Sequence, residues 1–152
     1  LIPDMQMNTA ALDTVLESRP DILGHNLETV PRLYQTVRPE ADYQRSLDVL
    51  RYTKKVCPDM VTKTSIMVGL GETEEEVSAL MDDARAAGTD IFVIGQYLRP
   101  TKQHLEVAEY VTPEQFERYA EIGRKKGFPY VFSAPLVRSS YHAAEAFAEV
   151  KK

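Results

Sequence analysis

The sequence has no tryptophan, one cysteine and no apolar run near the length of a membrane span. The single Cys57 excludes an intramolecular disulfide and any all-cysteine metal site made by this chain alone. One cysteine also fits a reducing compartment. An excess of positive charge is missing too: 18 Lys and Arg stand against 23 Asp and Glu, for a formal charge of −5. That balance excludes a nucleic-acid binder working through a broad basic surface and favours a small molecule or a protein as partner. With 43% hydrophobic and 27% charged residues in 152, the chain is neither a disordered tail nor collagen-like. It opens Leu1-Ile2-Pro3-Asp4, without an initiator Met and without a signal-peptide pattern, and reads as part of something longer.

What is present is an alternation of strand and helix periods, the mark of a parallel sheet or barrel. Leu1-Ile2 reads as the end of a strand, Thr9 to Glu17 as a helix and Ile22 to Asn26 as a strand. A short helix carrying Leu33, Tyr34 and Val37 precedes a longer one from Tyr43 to Lys55, and Val61 to Leu70 reads as a buried strand. Thr73-Glu74-Glu75-Glu76 and Thr112-Pro113-Glu114-Gln115 are read as capping boxes that start two further helices. Asp90 to Tyr97 and Tyr130 to Ser133 complete the strands. About five βα steps is roughly two-thirds of a (β/α)₈ barrel. The expected fold class is therefore α/β, a parallel (β/α) barrel of which this is the C-terminal portion. Residues 1–133 belong to the barrel and 134–152 form a C-terminal segment. A self-contained doubly wound domain is the rival.

Polar residues collect where such a barrel keeps its chemistry, after the strands. They are His25 to Thr29, Gly69 to Thr73, Gln96 to Thr101, and Ser133 to His142. Each segment has a plainer reading. Gly69-Leu70-Gly71 makes a tight turn, Glu72 favours a helix start, and His25 satisfies a strand end. Cys57 packs as a small apolar residue.

Taken together, Gly24-His25-Asn26-Leu27-Glu28-Thr29-Val30-Pro31-Arg32-Leu33-Tyr34, Thr62-Lys63-Thr64-Ser65-Ile66-Met67-Val68-Gly69-Leu70-Gly71-Glu72-Thr73, Gly95-Gln96-Tyr97-Leu98-Arg99-Pro100-Thr101 and Pro135-Leu136-Val137-Arg138-Ser139-Ser140-Tyr141-His142-Ala143 resemble the C-terminal half of the lipoyl synthase family, radical S-adenosylmethionine enzymes. The order and spacing match over essentially the whole chain. The resemblance implies a modified radical-SAM-type barrel, two [4Fe–4S] clusters and S-adenosylmethionine. It implies a sulfurtransferase inserting sulfur at C6 and C8 of an octanoyl chain in lipoate biosynthesis. That chain is carried by a lipoyl domain, the E2 of a 2-oxoacid dehydrogenase or the glycine cleavage H protein. It also implies a cytoplasmic setting, or mitochondrial matrix or plastid in a eukaryote, with neither nucleic acid nor membrane as partner. Both cysteine triplets of the family lie in its N-terminal half, so this chain alone cannot ligate a cluster and is expected to be inactive by itself.

The resemblance assigns a metal-ligand role to Ser140, with Ser139 the nearer rival. An oxygen ligand is harder than thiolate and is released more easily from iron sulfide. Asn26, Glu28, Gly69, Gly71 and Glu72 are expected around S-adenosylmethionine, and Gln96 and Tyr97 around the cofactor or octanoyl pocket. Departures are Met5 and Met7, where the family often has an aromatic residue and a glycine, and Ala134, where glycine is usual. A positive φ at Ala134 would strain the Arg138–Tyr141 loop. Two other readings stand beside this one. One is a non-catalytic module that binds a lipoyl carrier or completes a split enzyme. The other is a metal-independent barrel enzyme using Glu28, Lys63 and His25.

Overall fold

The strand periods become four parallel strands in the computed structural model, which describes residues 1–151. They are β1 (Ile22–Gly24), β2 (Val61–Val68), β3 (Ile91–Gln96) and β4 (Tyr130–Ser133), in spatial order β1-β2-β3-β4. The helices are α1 (Thr9–Glu17), α2 (Tyr34–Val37), α3 (Tyr43–Val56), α4 (Glu74–Ala86), α5 (Pro113–Lys125) and α6 (Ala143–Val150). Strands in sequence order with helical crossovers are a run of βα units, as in part of a barrel wall.

The expected step at Leu1-Ile2 is not a strand; four strands, not five, stand among the described residues. Ile2 N–H still donates to the Gly24 carbonyl at 2.9 Å, one rung on the free edge of β1. β1 is also shorter than expected as regular structure. Beyond Gly24, paired with Lys63, the next rung is Glu28 against Ile66. Four residues thus advance against three, and the chain bulges at Asn26 and Leu27. Glu28 takes φ = 67° to return to the ladder.

Because strand side chains alternate, the sheet has two unlike faces. The outer face presents Ile66, Val68, Phe92 and Ile94, which pack on Leu47 and Leu50 of α3, Leu80 and Met81 of α4, and Phe116 of α5. Phe92 and Phe128 stack with centroids 5.0 Å apart. The inner face carries Val61, Lys63 and Ser65 of β2 and Ile91, Val93 and Gly95 of β3. Its lower part is covered by Val137 and by Ala146, Phe147 and Val150 of α6. The sequence reading contains no α6, although the spacing of its covering residues is helical.

The Thr73 cap is a full capping box, with both reciprocal bonds present. The second is only half of one. Thr112 Oγ1 accepts from Gln115 N–H at 3.3 Å, while the Gln115 amide turns away to Glu74 Oε2 at 2.6 Å. That contact ties α5 to α4, and a tertiary partner has replaced the local one. Cys57 lies with Leu16, Leu23 and Met60 in a small cluster behind β1, as a packing residue would.

Candidate functional site

The sequence places polar groups after each strand; the fold sorts them into two cavities and a set of structural ties. The inner cavity, of about 240 Å³, lies against the inner face and is lined by Gly24, Asn26, Lys63, Ser139, Ser140 and Ala143, among others. Ser139 and Ser140 reach it because the chain after β4 doubles back across the sheet. Gln96 N–H donates to the Pro135 carbonyl, and Val137 N–H closes a turn on Ala134. Gly95 lets that return pass, since a Cβ there would overlap the Val137 carbonyl oxygen and crowd Arg138. Ala134 is absent from the positive-φ residues, so alanine is unstrained where the family usually has glycine.

The second cavity, of about 550 Å³, opens at the C-terminal ends of β2 and β3. Glu28, Arg38, Met67, Tyr97, His104 and Leu105 are among its walls. Tyr97 is buried, and its hydroxyl donates to the Leu105 carbonyl at 3.0 Å. Asn26 joins the two cavities, lining the inner one while its amide donates to Glu28 Oε1 at 3.1 Å. Its Oδ1 is buried without a donor, as is His25 Nε2. His25 Nδ1 lies 3.0 Å from the Ile2 carbonyl, which can only accept, so the proton sits on Nδ1. Burial holds this imidazole below its ordinary 6.5 and keeps it neutral, leaving Nε2 an empty acceptor.

Several expected ligand groups are engaged elsewhere. Glu72 accepts from Gly69 N–H at 2.6 Å and Leu70 N–H at 3.0 Å. The N–H groups of the turn before α4 are therefore taken by the chain's own carboxylates, so Gly69 and Glu72, expected around S-adenosylmethionine, are engaged with each other instead. Gly69, with φ = 97°, is packed so that a Cβ would overlap the Gln96 amide and the Glu109 carbonyl. Gly71 takes φ = 103° and gives its carbonyl to Arg32 at 2.8 Å. Gln96 donates to the Glu109 carbonyl at 2.9 Å and accepts from Val111 N–H at 2.9 Å. It clamps the long loop before α5 to β3 and sits on the outer-face side, which corrects its expected place in a pocket. Gly69, Gly71, Glu72 and Gln96 thus shape the rim without lining either cavity.

Arg38 was missed by the sequence reading. Its guanidinium lies 5.8 Å from the Tyr34 ring centroid and donates to the Asn26 carbonyl at 3.4 Å. A cation twelve residues beyond Asn26, past two helical turns, has no local signal linking it to the strand end. Glu28, Lys63 and His25 do not converge: Glu28 and Lys63 line different cavities, and His25 Nδ1 is tied to Ile2.

Residues 2–84, more than half of the chain, match the Radical SAM superfamily. This chain belongs to that superfamily. It is similar to the lipoyl synthase of Caldanaerobacter subterraneus subsp. tengcongensis, with 61% identity over 143 residues, 94% of this chain and 50% of that protein. The lipoyl synthase of Rubrobacter xylanophilus is 53% identical over 152 residues, 100% of this chain and 47% of its own length. A mitochondrial lipoyl synthase of Branchiostoma floridae is 53% identical over 97% of this chain and 39% of that protein. The chain spans about half the length of the curated relatives it matches. The parallel sheet with its outer helices is the expected partial radical SAM barrel. Among the described residues no helix is long and apolar enough to cross a membrane.

Two chemical groups implied by the superfamily and by the lipoyl synthase relatives can be tested against these residues. Asn26 Oδ1 is a buried acceptor without a donor where the two cavities meet, while Glu28 and Arg38 supply both charges beside the apolar Met67 and Leu105; His25 Nε2 is also unpaired but lines neither cavity. That set suits a zwitterionic amino-acid sulfonium nucleoside. For an iron–sulfur cluster, no group of three or more His, Cys, Asp or Glu gathers among the described residues. The serine hydroxyls of the inner cavity fit one ligand position of a site whose other ligands come from elsewhere.

Proposed function

We propose that this chain is the C-terminal half of a lipoyl synthase, which inserts sulfur at C6 and C8 of a protein-bound octanoyl chain. The carrier is a lipoyl domain of the 2-oxoacid dehydrogenase or glycine cleavage type. The observation that carries the reading is that the chain's return after β4 sets Ser139 and Ser140 beside Asn26 and Lys63, far apart in sequence, in one cavity. The near-complete coverage by lipoyl synthase relatives supports it. The setting that follows is cytoplasmic, or the matrix for a mitochondrial enzyme.

When bound, S-adenosylmethionine and two [4Fe–4S] clusters supply the radical and the sulfur. The chain's own residues bind and orient. Asn26 Oδ1 accepts a hydrogen bond from an amine or a hydroxyl, and Glu28 and Arg38 hold opposite charges at the mouth. Tyr97, Met67 and Leu105 exclude water from the wall beside them. Ser140 supplies an oxygen ligand to one cluster, with Ser139 beside it. Bound there, a cluster would meet an oxygen donor harder than the thiolates it would take from elsewhere, and that bond would be the readiest to give way.

The test is Ser140→Ala in a full-length enzyme carrying this sequence, assayed with an octanoylated carrier. Cofactor cleavage should persist while the lipoyl product falls steeply. Unchanged product from both Ser140→Ala and Ser139→Ala would overturn the reading. So would a full-length protein that binds the carrier and never modifies it, which would favour the non-catalytic module.

A further inference from the structure

The inner cavity contains a cation with no partner. Lys63 is only 5% exposed, and its ammonium makes no hydrogen bond or ion pair among the described residues. It shares the inner face with Val61 and Val93, and Gly24, Ile22 and Ala143 line the cavity beside it. The chain treats a comparable lysine differently. Lys54 Nζ donates to Asp90 Oδ2 and to the Met60 carbonyl, both at 2.7 Å. Lys63 has no such partner among the described residues: its stem is buried, and its ammonium meets only the cavity.

The cavity thus offers an unengaged ammonium to an anion that enters it. The only other polar side chains lining it are Asn26, Ser139 and Ser140, all uncharged. The mouth cavity has its own cation in Arg38, set beside Glu28, where a carboxylate-bearing ligand would find it. Two cations stand near the serines: Lys63 lines their cavity, while Arg138 lies over Gly95 outside the lining, with Nη1 already donating to the Val137 carbonyl. We propose that Lys63 is the charge partner of the iron–sulfur cluster held at Ser139–Ser140, donating toward its sulfides and offsetting the negative charge left by thiolate and alkoxide ligands. This rests on the reading of the serines above and adds a role for a residue that ligates nothing. Hydrogen bonds and local charge set the reduction potential of such clusters. An ammonium facing the cluster favours the form that has gained an electron.

The experiment compares Lys63→Met and Lys63→Arg with the parent in a full-length enzyme carrying both clusters. Midpoint potentials are read by spectroelectrochemistry, with iron content and S-adenosylmethionine affinity on the same samples. Lys63→Met should lower the potential of the serine-bound cluster and leave the other cluster and the cofactor affinity unchanged. Lys63→Arg should restore most of the potential. In the iron-free protein Lys63→Met should melt as the parent does, because the ammonium makes no contact to lose and the buried stem is replaced by an apolar chain of similar length. A full iron complement with an unshifted potential overturns the proposal. A tenfold or larger loss of cofactor affinity at unshifted potential also overturns it and makes the cofactor's carboxylate the anion. A lower melting temperature of iron-free Lys63→Met would show that Lys63 is satisfied within the protein, which is equally fatal. Ser140→Ala serves as the parallel sample. If it keeps the cluster signal unaltered, the serine reading fails; if it changes that signal while Lys63→Met does not, only the present inference fails.

Discussion

The two faces of one sheet are built for different ends. On the outer face β2 and β3 present Ile66, Val68, Phe92 and Ile94, all at most 1% exposed and packed on three helices. On the inner face the same strands present Lys63, Ser65 and Gly95, and the cover is a returning loop and one short helix. The outer face is complete by itself: its apolar groups meet apolar groups, and the side chains of Thr62, Thr64 and Gln96 find hydrogen-bond partners within the chain. The inner face keeps an unpaired cation, a buried orphan amide oxygen at its rim and two serine hydroxyls. Buried Thr29 and Thr89 hydroxyls are also unpaired, but they lie singly outside both cavities, whereas the open polar groups of the inner face share one.

The largest effect should come from breaking the outer face. Phe92→Ala removes a fully buried ring at the centre of the main core and should destabilise folding by about 3–5 kcal/mol. Chemical denaturation would show it as a lower midpoint at unchanged slope, with no specific loss of cofactor affinity beyond the unfolded fraction. Equal damage from Lys63→Met would erase the distinction between the faces.

The next test acts at the rim, where Glu28 combines a left-handed backbone with a charged side chain. Glu28→Gln keeps the shape and an acceptor for Asn26 but removes the charge. It should weaken S-adenosylmethionine binding by roughly ten- to a hundredfold, the value of a hydrogen bond to a charged group. Glu28→Gly relieves the strain at φ = 67° and should raise stability by about 1 kcal/mol while weakening binding at least as much. Calorimetric titration and a melt on the same two variants separate the effects. Retained affinity in both would take Glu28 out of the site.

A smaller effect concerns pH. Burial lowers the His25 pKa, so the unfolded chain binds the proton more readily than the folded one. The stability this neutral imidazole contributes is complete above its ordinary 6.5 and is lost as pH falls through that value toward the depressed folded one. Denaturation at pH 7.5, 6.5 and 5.5 should show falling stability, and His25→Gln should flatten that slope. An unchanged slope would mean that His25 is solvated or paired.

The regular outer layer was legible because it obeys local rules. The helix over Thr9–Glu17, the box at Thr73 and the strand Tyr130–Ser133 were read as they stand, since period and capping chemistry act within a few residues. The inner layer was not, because its logic is long-range. Ala143–Val150 is a helix whose apolar side matters only against a sheet face assembled from Val61, Ile91, Val93 and Phe132 of three strands. Polar residues at strand ends looked alike in sequence. Yet Glu72 and Gln96 bind backbone, while Asn26 and Glu28 line the cavities. Nothing local tells a carboxylate that closes its own turn from one left open. The turn at Met5–Met7 is the sharpest case, with φ = 47°, 49° and 57° at three successive non-glycine residues. The family's usual glycine at position 7 fits that backbone, and Met7 holds it at a cost.

The central claim is that the inner face holds a ligand and the outer face holds the fold. It is tested most directly by measuring iron content and iron-free melting temperature together for Ser140→Ala in a full-length enzyme carrying this sequence. The exposed hydroxyl contributes nothing to packing, so the melting temperature should match the parent's while one of the two clusters is lost or altered. A lowered melting temperature with the full iron complement and unaltered cluster spectra would contradict the account.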